Sequence, residues 1–127
     1  MARHVGAGGN RWSAVHVNDL ARGYAVLLES SARGVFHAAE TTPVPLAALT
    51  AAIGSAAGVP VRSWSLAEAV ATHGDVAAYL AADAALDASR LRDLGWEPVF
   101  GDALGGVCGA LLNPAQGYAE PARRSPS

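Results

Sequence analysis

The chain has no lysine; its nine basic residues are all arginine, against eleven acidic ones. Those arginines are scattered, apart from Arg123 and Arg124. With a net charge of −2 and a pI near 6.0, they make no basic stripe that could track a phosphate backbone, which excludes nucleic acid as the expected partner. Cysteine is nearly absent too. Cys108 stands alone, so no disulfide can close within the chain, and a reducing compartment is the expectation. Long hydrophobic runs are missing. The longest uncharged one, Ala103–Leu112, holds Gly105, Gly106 and Gly109 and is too short to cross a bilayer. The opening MARHVGAGGN has no apolar stretch of the leader-peptide kind. No membrane partner and a cytoplasmic location are therefore expected.

Apolar residues make up 51% of the chain, but much of that share is alanine, which buries little area per residue. At ~25 cal/mol per Å² the core gives less stability than the percentage implies. Residues 1–10 lack periodicity and read as loop. Residues 12–17 are rich in β-formers and read as a strand. Asn18 and Asp19 stop it, and Asp19 is the expected N-cap of a helix over 20–31, marked by Leu20, Tyr24, Leu27 and Leu28. Gly34 closes the helix, and residues 35–39 read as a second strand. Strand, helix and strand over this length predict a right-handed βαβ unit with parallel strands.

Further on, Pro45 opens a helix carried by Leu46, Leu49 and Ile53 and closed by Gly58. Residues 59–64 are extended. Ser65 and Glu68 form a capping box for a helix ended by Gly74. Asp75 is the expected cap of a helix over 76–82, and Asp87 or Ser89 opens another that ends at Gly95. Residues 101–112 are weakly helical. The expected fold is α/β: one βαβ unit with parallel strands plus several short helices, in one domain over 1–112. The Pro-, Ala-, Arg- and Ser-rich segment 113–127 is expected to be a disordered tail.

Several residues invite a site and fail. Gly6-Ala7-Gly8-Gly9 suggests a phosphate loop, but such a loop needs a strand before it and a helix after it, so a plain turn is expected. His4, His16, His37 and His73 are too widely spread for a metal centre. Ser13, His16 and Asp19 point apart by strand alternation, so they make no triad. Asn10, Arg11 and Trp12 remain as the candidate ligand-binding residues, because an Arg beside a Trp suits a planar or anionic ligand. The plainer alternative is that Trp12 packs and Arg11 is solvated.

Three landmarks resemble one family. Val15-His16-Val17-Asn18-Asp19-Leu20-Ala21 is similar to the HVxD strand and helix of extended short-chain dehydrogenase/reductases, the NAD(P)-dependent epimerase/dehydratase group. Gly34-Val35-Phe36-His37-Ala38, followed by Gly58-Val59-Pro60, resembles the next strand and helix. Leu94-Gly95-Trp96-Glu97-Pro98 resembles the closing LGWxP. The resemblance covers roughly residues 5–98. It implies a partial Rossmann-type region that forms the substrate-binding C-terminal part of such an oxidoreductase, with Asn10, Arg11 and Trp12 edging the substrate cleft. NAD(P) is implied for the family and not for this chain. The family's Gly-rich dinucleotide loop is missing, and Tyr24, Tyr79 and Tyr118 have Leu28, Asp83 and Ala122 four residues on, where the family has its lysine. Trp12 stands where sugar-nucleotide epimerases usually carry an Arg, which points away from that substrate class. The expectation is a truncated portion, catalytically inert alone, with no catalytic residue of its own. Its strand edges would favour self-association. The alternative is a non-catalytic small-molecule binding or protein-interaction module.

Overall fold

The computed structural model describes residues 1–113; apart from Asn113, the expected tail lies outside the described residues. In chain order the elements are β1 Ala2–Val5, β2 Arg11–Trp12, α1 Val17–Glu29, β3 Val44–Pro45, α2 Leu46–Ala57, β4 Val61–Trp64, α3 Leu66–His73, α4 Val76–Ala81, α5 Ser89–Arg92 and α6 Ala103–Leu112. This is the expected α/β class, with a parallel strand pair and several short helices. β1 pairs in parallel with β4, from Ala2 opposite Val61 to Val5 opposite Trp64. β2 pairs antiparallel with β3.

The parallel strands are not the ones expected. The strand foreseen over 12–17 shrinks to Arg11–Trp12, and residues 35–39 form none. Side chains take the hydrogen bonds that a ladder would have used. Arg90 donates to the Val35 carbonyl at 2.6 Å and Arg92 to that of Ala39 at 3.3 Å. Residues 2–5, read as loop, become β1 because their partner β4 lies almost sixty positions away, beyond the reach of local pattern.

The helix starts differ as well. α1 begins at Val17, and His16 is its N-cap, its Nδ1 accepting from the Asn18 N–H at 3.1 Å. Asp19 lies inside the helix and does not cap it. Asp75 precedes α4 without a side-chain cap bond. Asp102 caps α6, a full ten-residue helix where only weak helicity was foreseen. The Ser65–Glu68 capping box and the left-handed Gly58 at φ 64° stand as expected.

Two small cores hold the chain. One gathers Ala39, Ala88, Leu91 and Trp96, ringed by Val15, Val26, Leu27 and Phe36. The other gathers Val5, Ala69 and Ala77, with Trp64 and Leu80 against it. Tyr24 and Leu28, expected inside, are 62% and 86% exposed. The inward face of α1 instead runs through Asp19 and Gly23. A Cβ on Gly23 would come within 3.2 Å of Leu91 and 3.4 Å of the Trp96 indole nitrogen. Glycine adds nothing to an apolar count, so the periodicity put the face in the wrong place.

Gly54 makes a closer approach still. A Cβ there would overlap Val61 Cγ2 and lie 3.0 Å from the Val59 carbonyl. Gly54→Ala is expected to push α2 off β4 and cost about 1–3 kcal/mol, in spite of alanine's better helix propensity. Urea unfolding followed by circular dichroism checks this; a neutral or stabilising result would mean that the contact relaxes freely.

Candidate functional site

The best-defined polar cluster is built on Asp19. Its carboxylate is fully buried. It accepts from the Val99 N–H at 3.0 Å, the Phe100 N–H at 2.9 Å and the Arg22 guanidinium at 2.8 Å. Arg22 also donates to the Glu97 carbonyl at 3.1 Å, and the Trp96 indole N–H donates to the Asp19 carbonyl at 2.8 Å. Burial alone would push the Asp19 carboxyl up. The two backbone N–H groups and Arg22 outweigh that and hold it below the usual range. The cluster pins residues 96–100 to the first turns of α1.

Asn10, Arg11 and Trp12 do not converge on one ligand position. The Asn10 amide donates to the carbonyls of Leu80 and Ala82, both at 3.0 Å. Arg11 meets Asp83 bidentately, at 2.7 and 3.2 Å. That pairing raises the guanidinium pKa and lowers the Asp83 carboxyl. Both residues thus fasten the segment 80–83. Trp12, opposite Val44 and bridged to Ala84, lines a cleft of about 280 Å³ between α2 and the β1–β4 pair. Leu46, Leu49, Ile53 and Leu80 give it apolar walls, and Trp64 lines it as well. The Arg3 guanidinium lies 4.8 Å from the Trp64 ring centre. His4 lines the cleft too, and its Nδ1 is buried without a hydrogen-bond partner among the described residues.

A second, larger concavity of about 830 Å³ lies between residues 14–17, Glu40, Phe100 and α6. The His16 ring stacks on Phe100 at 4.4 Å. Glu40, 9% exposed, accepts from the Ala103 N–H at 3.1 Å. Sequence reasoning missed Glu40, Phe100 and Asp102, because they belong to no motif and meet only through the fold.

The other candidates separate. Ser13 Oγ accepts from the Leu86 N–H at 2.7 Å, His16 faces Asn18, and Asp19 is enclosed, so these three share no site. The Gly6–Gly9 segment does follow a strand, contrary to expectation, with Gly6 at φ 58° and Gly8 at φ 66°. It leads into β2 and not into a helix, and the α2 N-terminus packed against it spends its Ala47 and Leu46 N–H groups on the Gly8 and Asn10 carbonyls, at 2.8 and 2.9 Å. Among the described residues no three His, Cys, Asp or Glu side chains come together as a metal set, and no helix is long and apolar enough to cross a membrane.

No protein-family model matches the chain. It is 30% identical over 100 residues to Uncharacterized protein C2A9.02 of Schizosaccharomyces pombe, covering 77% of this chain and 34% of that one. It is 31% identical over 97 residues to Uncharacterized protein YLL056C of Saccharomyces cerevisiae, covering 75% and 33%. The chain therefore spans about one third of the length of these curated relatives. Among solved structures it is similar to a functionally unknown conserved protein from Silicibacter pomeroyi, with a TM-score of 0.67 over 89% of this chain and 40% of that one. At 20% identity that likeness shows the fold alone.

Proposed function

We propose that this chain forms the substrate side of an NAD(P)-dependent oxidoreductase of the epimerase/dehydratase type, with the cleft at Trp12 receiving the substrate. One observation carries the reading. The first and last landmarks of the resemblance, VHVND and LGWEP, lie almost eighty residues apart and meet at Asp19, through the Trp96 indole and the backbone just beyond Pro98. Motifs that co-occur by chance have no reason to meet at one buried residue. In this reading Asn10 and Arg11 position Trp12 by fastening segment 80–83. The cleft, mostly apolar with a few polar groups, falls near the lower end of the roughly 300–1,000 Å³ typical of small-molecule sites.

In this reading the described residues do not fit the dinucleotide: the sequence has no lysine, and the Gly-rich turn opens no helix. Cofactor binding and the general acid would then come from polypeptide outside them, and the 127 residues alone would be inert. The alternative, a non-catalytic binding or interaction module, draws on the outward apolar side chains of α1, where Val17, Tyr24 and Leu28 are 62% exposed or more. Self-association would use the outer edges of β1 and β4, which have no strand partner among the described residues.

Intrinsic fluorescence tests the cleft directly. Trp12 and Trp64 line it, whereas Trp96 is buried elsewhere. Titration with cyclohexanone is expected to change the emission saturably, and Leu49→Phe, which fills the cleft, is expected to abolish the effect. Linear, unsaturable quenching that is the same in both proteins would remove the cleft as a substrate site.

A further inference from the structure

We infer that the groove between residues 14–17, Glu40 and α6 is a binding site for a small organic ammonium, independent of the Trp12 cleft and of the oxidoreductase reading. Among the described residues, the charged side chains that line it are Glu40 and Asp102, and no arginine does. Glu40 is the deciding group. It is 91% buried by its 9% exposure, yet the hydrogen bond its carboxylate makes is to one backbone N–H, that of Ala103, on Oε2. No cation pairs with it among the described residues. The other oxygen, Oε1, is not among the buried atoms left without a partner; it has no hydrogen bond among the described residues and is open to the groove, where an N⁺–H group is its strongest complement.

The remaining lining fits the same ligand. Asp102 adds a second negative charge, fixed by its bond to the Gly105 N–H at 2.9 Å. Phe100 is half exposed and stacked on His16, which offers a ring face to a cation. The His16 Nδ1 is turned away to the Asn18 N–H, at 3.1 Å. The apolar wall from Val107 and Ala110 of α6 suits the organic part of the ligand.

Benzylamine, a cation at neutral pH, and benzyl alcohol, its neutral near-isostere, separate charge recognition from simple apolar filling. In calorimetry, with ring-proton shifts of His16 and Phe100 as the site readout, benzylamine is expected to bind saturably and benzyl alcohol about tenfold more weakly or worse. Glu40→Gln keeps an acceptor for the Ala103 N–H and is expected to reduce benzylamine affinity by a similar factor. Gly106→Phe is the control that spares the charges. Gly106 lines the groove and nothing lies within 4 Å of a Cβ there, so the larger side chain is expected to block binding. Equal binding of amine and alcohol, full affinity in Glu40→Gln, or no binding of benzylamine to the unaltered chain would each overturn the inference. If Glu40→Gln fails to fold, the amine–alcohol comparison and Gly106→Phe still decide it.

Discussion

Replacing Trp96 with alanine is expected to cost about 3–5 kcal/mol, the range for deleting a fully buried large aromatic. Whole domains have only about 5–15 kcal/mol of stability, so the variant should be largely unfolded in mild denaturant. Trp96 is 1% exposed, and its core partners are mostly small: Ala39, Ala88 and Leu91. Alanines cannot reach across the vacated space, so the cavity would collapse poorly. The indole N–H also satisfies the Asp19 carbonyl. Trp96→Phe keeps most of the volume but loses the indole bond to that carbonyl, which keeps its bond within the helix, and is expected to cost about 0.5–1.5 kcal/mol for the lost bond. Urea midpoints read by circular dichroism rank the three proteins. A loss below about 1 kcal/mol for the alanine variant would mean that this core does not hold the fold together.

The second large effect is expected at Asp19. A capping aspartate can be exchanged for asparagine at little cost, since Asn and Asp cap about equally well. Asp19 is instead a buried carboxylate holding two backbone N–H groups and an arginine. Asp19→Ala leaves both N–H groups without an acceptor, while the half-exposed Arg22 keeps the Glu97 carbonyl, and about 2–4 kcal/mol is the expected loss. Asp19→Asn is expected to lose a large part of that as well. Its amide presents one oxygen and one NH₂, and the NH₂ would face a donor.

The pH dependence follows from the depressed carboxyl. A carboxyl with a lower pKa folded than unfolded stabilises the chain above the unfolded value, about 3.9. That stability is lost as pH falls from there through the folded value. The asparagine variant has no such carboxyl, so the stability gap between it and the unaltered chain should narrow as pH drops below about 4. Unfolding curves at neutral and acid pH test this. A gap that stays constant would show that Asp19 does not act through its charge.

The residues explain what could be read in advance. The capping box at Ser65, the left-handed Gly58 and the α/β class depend on local chemistry, so sequence carried them. β1 depends on a partner almost sixty residues away, and no window of ten residues holds that information. Asp19 sits where a local reading sees a cap, yet its partners Val99 and Phe100 lie eighty positions on, and they contribute main-chain groups that no side-chain pattern advertises. In the candidate site, Trp12 was legible because an aromatic beside an arginine is conspicuous. That Arg11 would be taken up by Asp83 was not, because the pairing spans seventy-two residues. Glu40 was invisible for the same reason.

The most direct test of the proposed substrate-side role is calorimetric titration with NADH and NADPH, run on this chain and on the full-length fission-yeast relative. The expected result is no binding heat from these 127 residues and saturable binding of one dinucleotide by the longer protein. Failure of the longer protein to bind either dinucleotide, or micromolar binding by this chain alone, would contradict it.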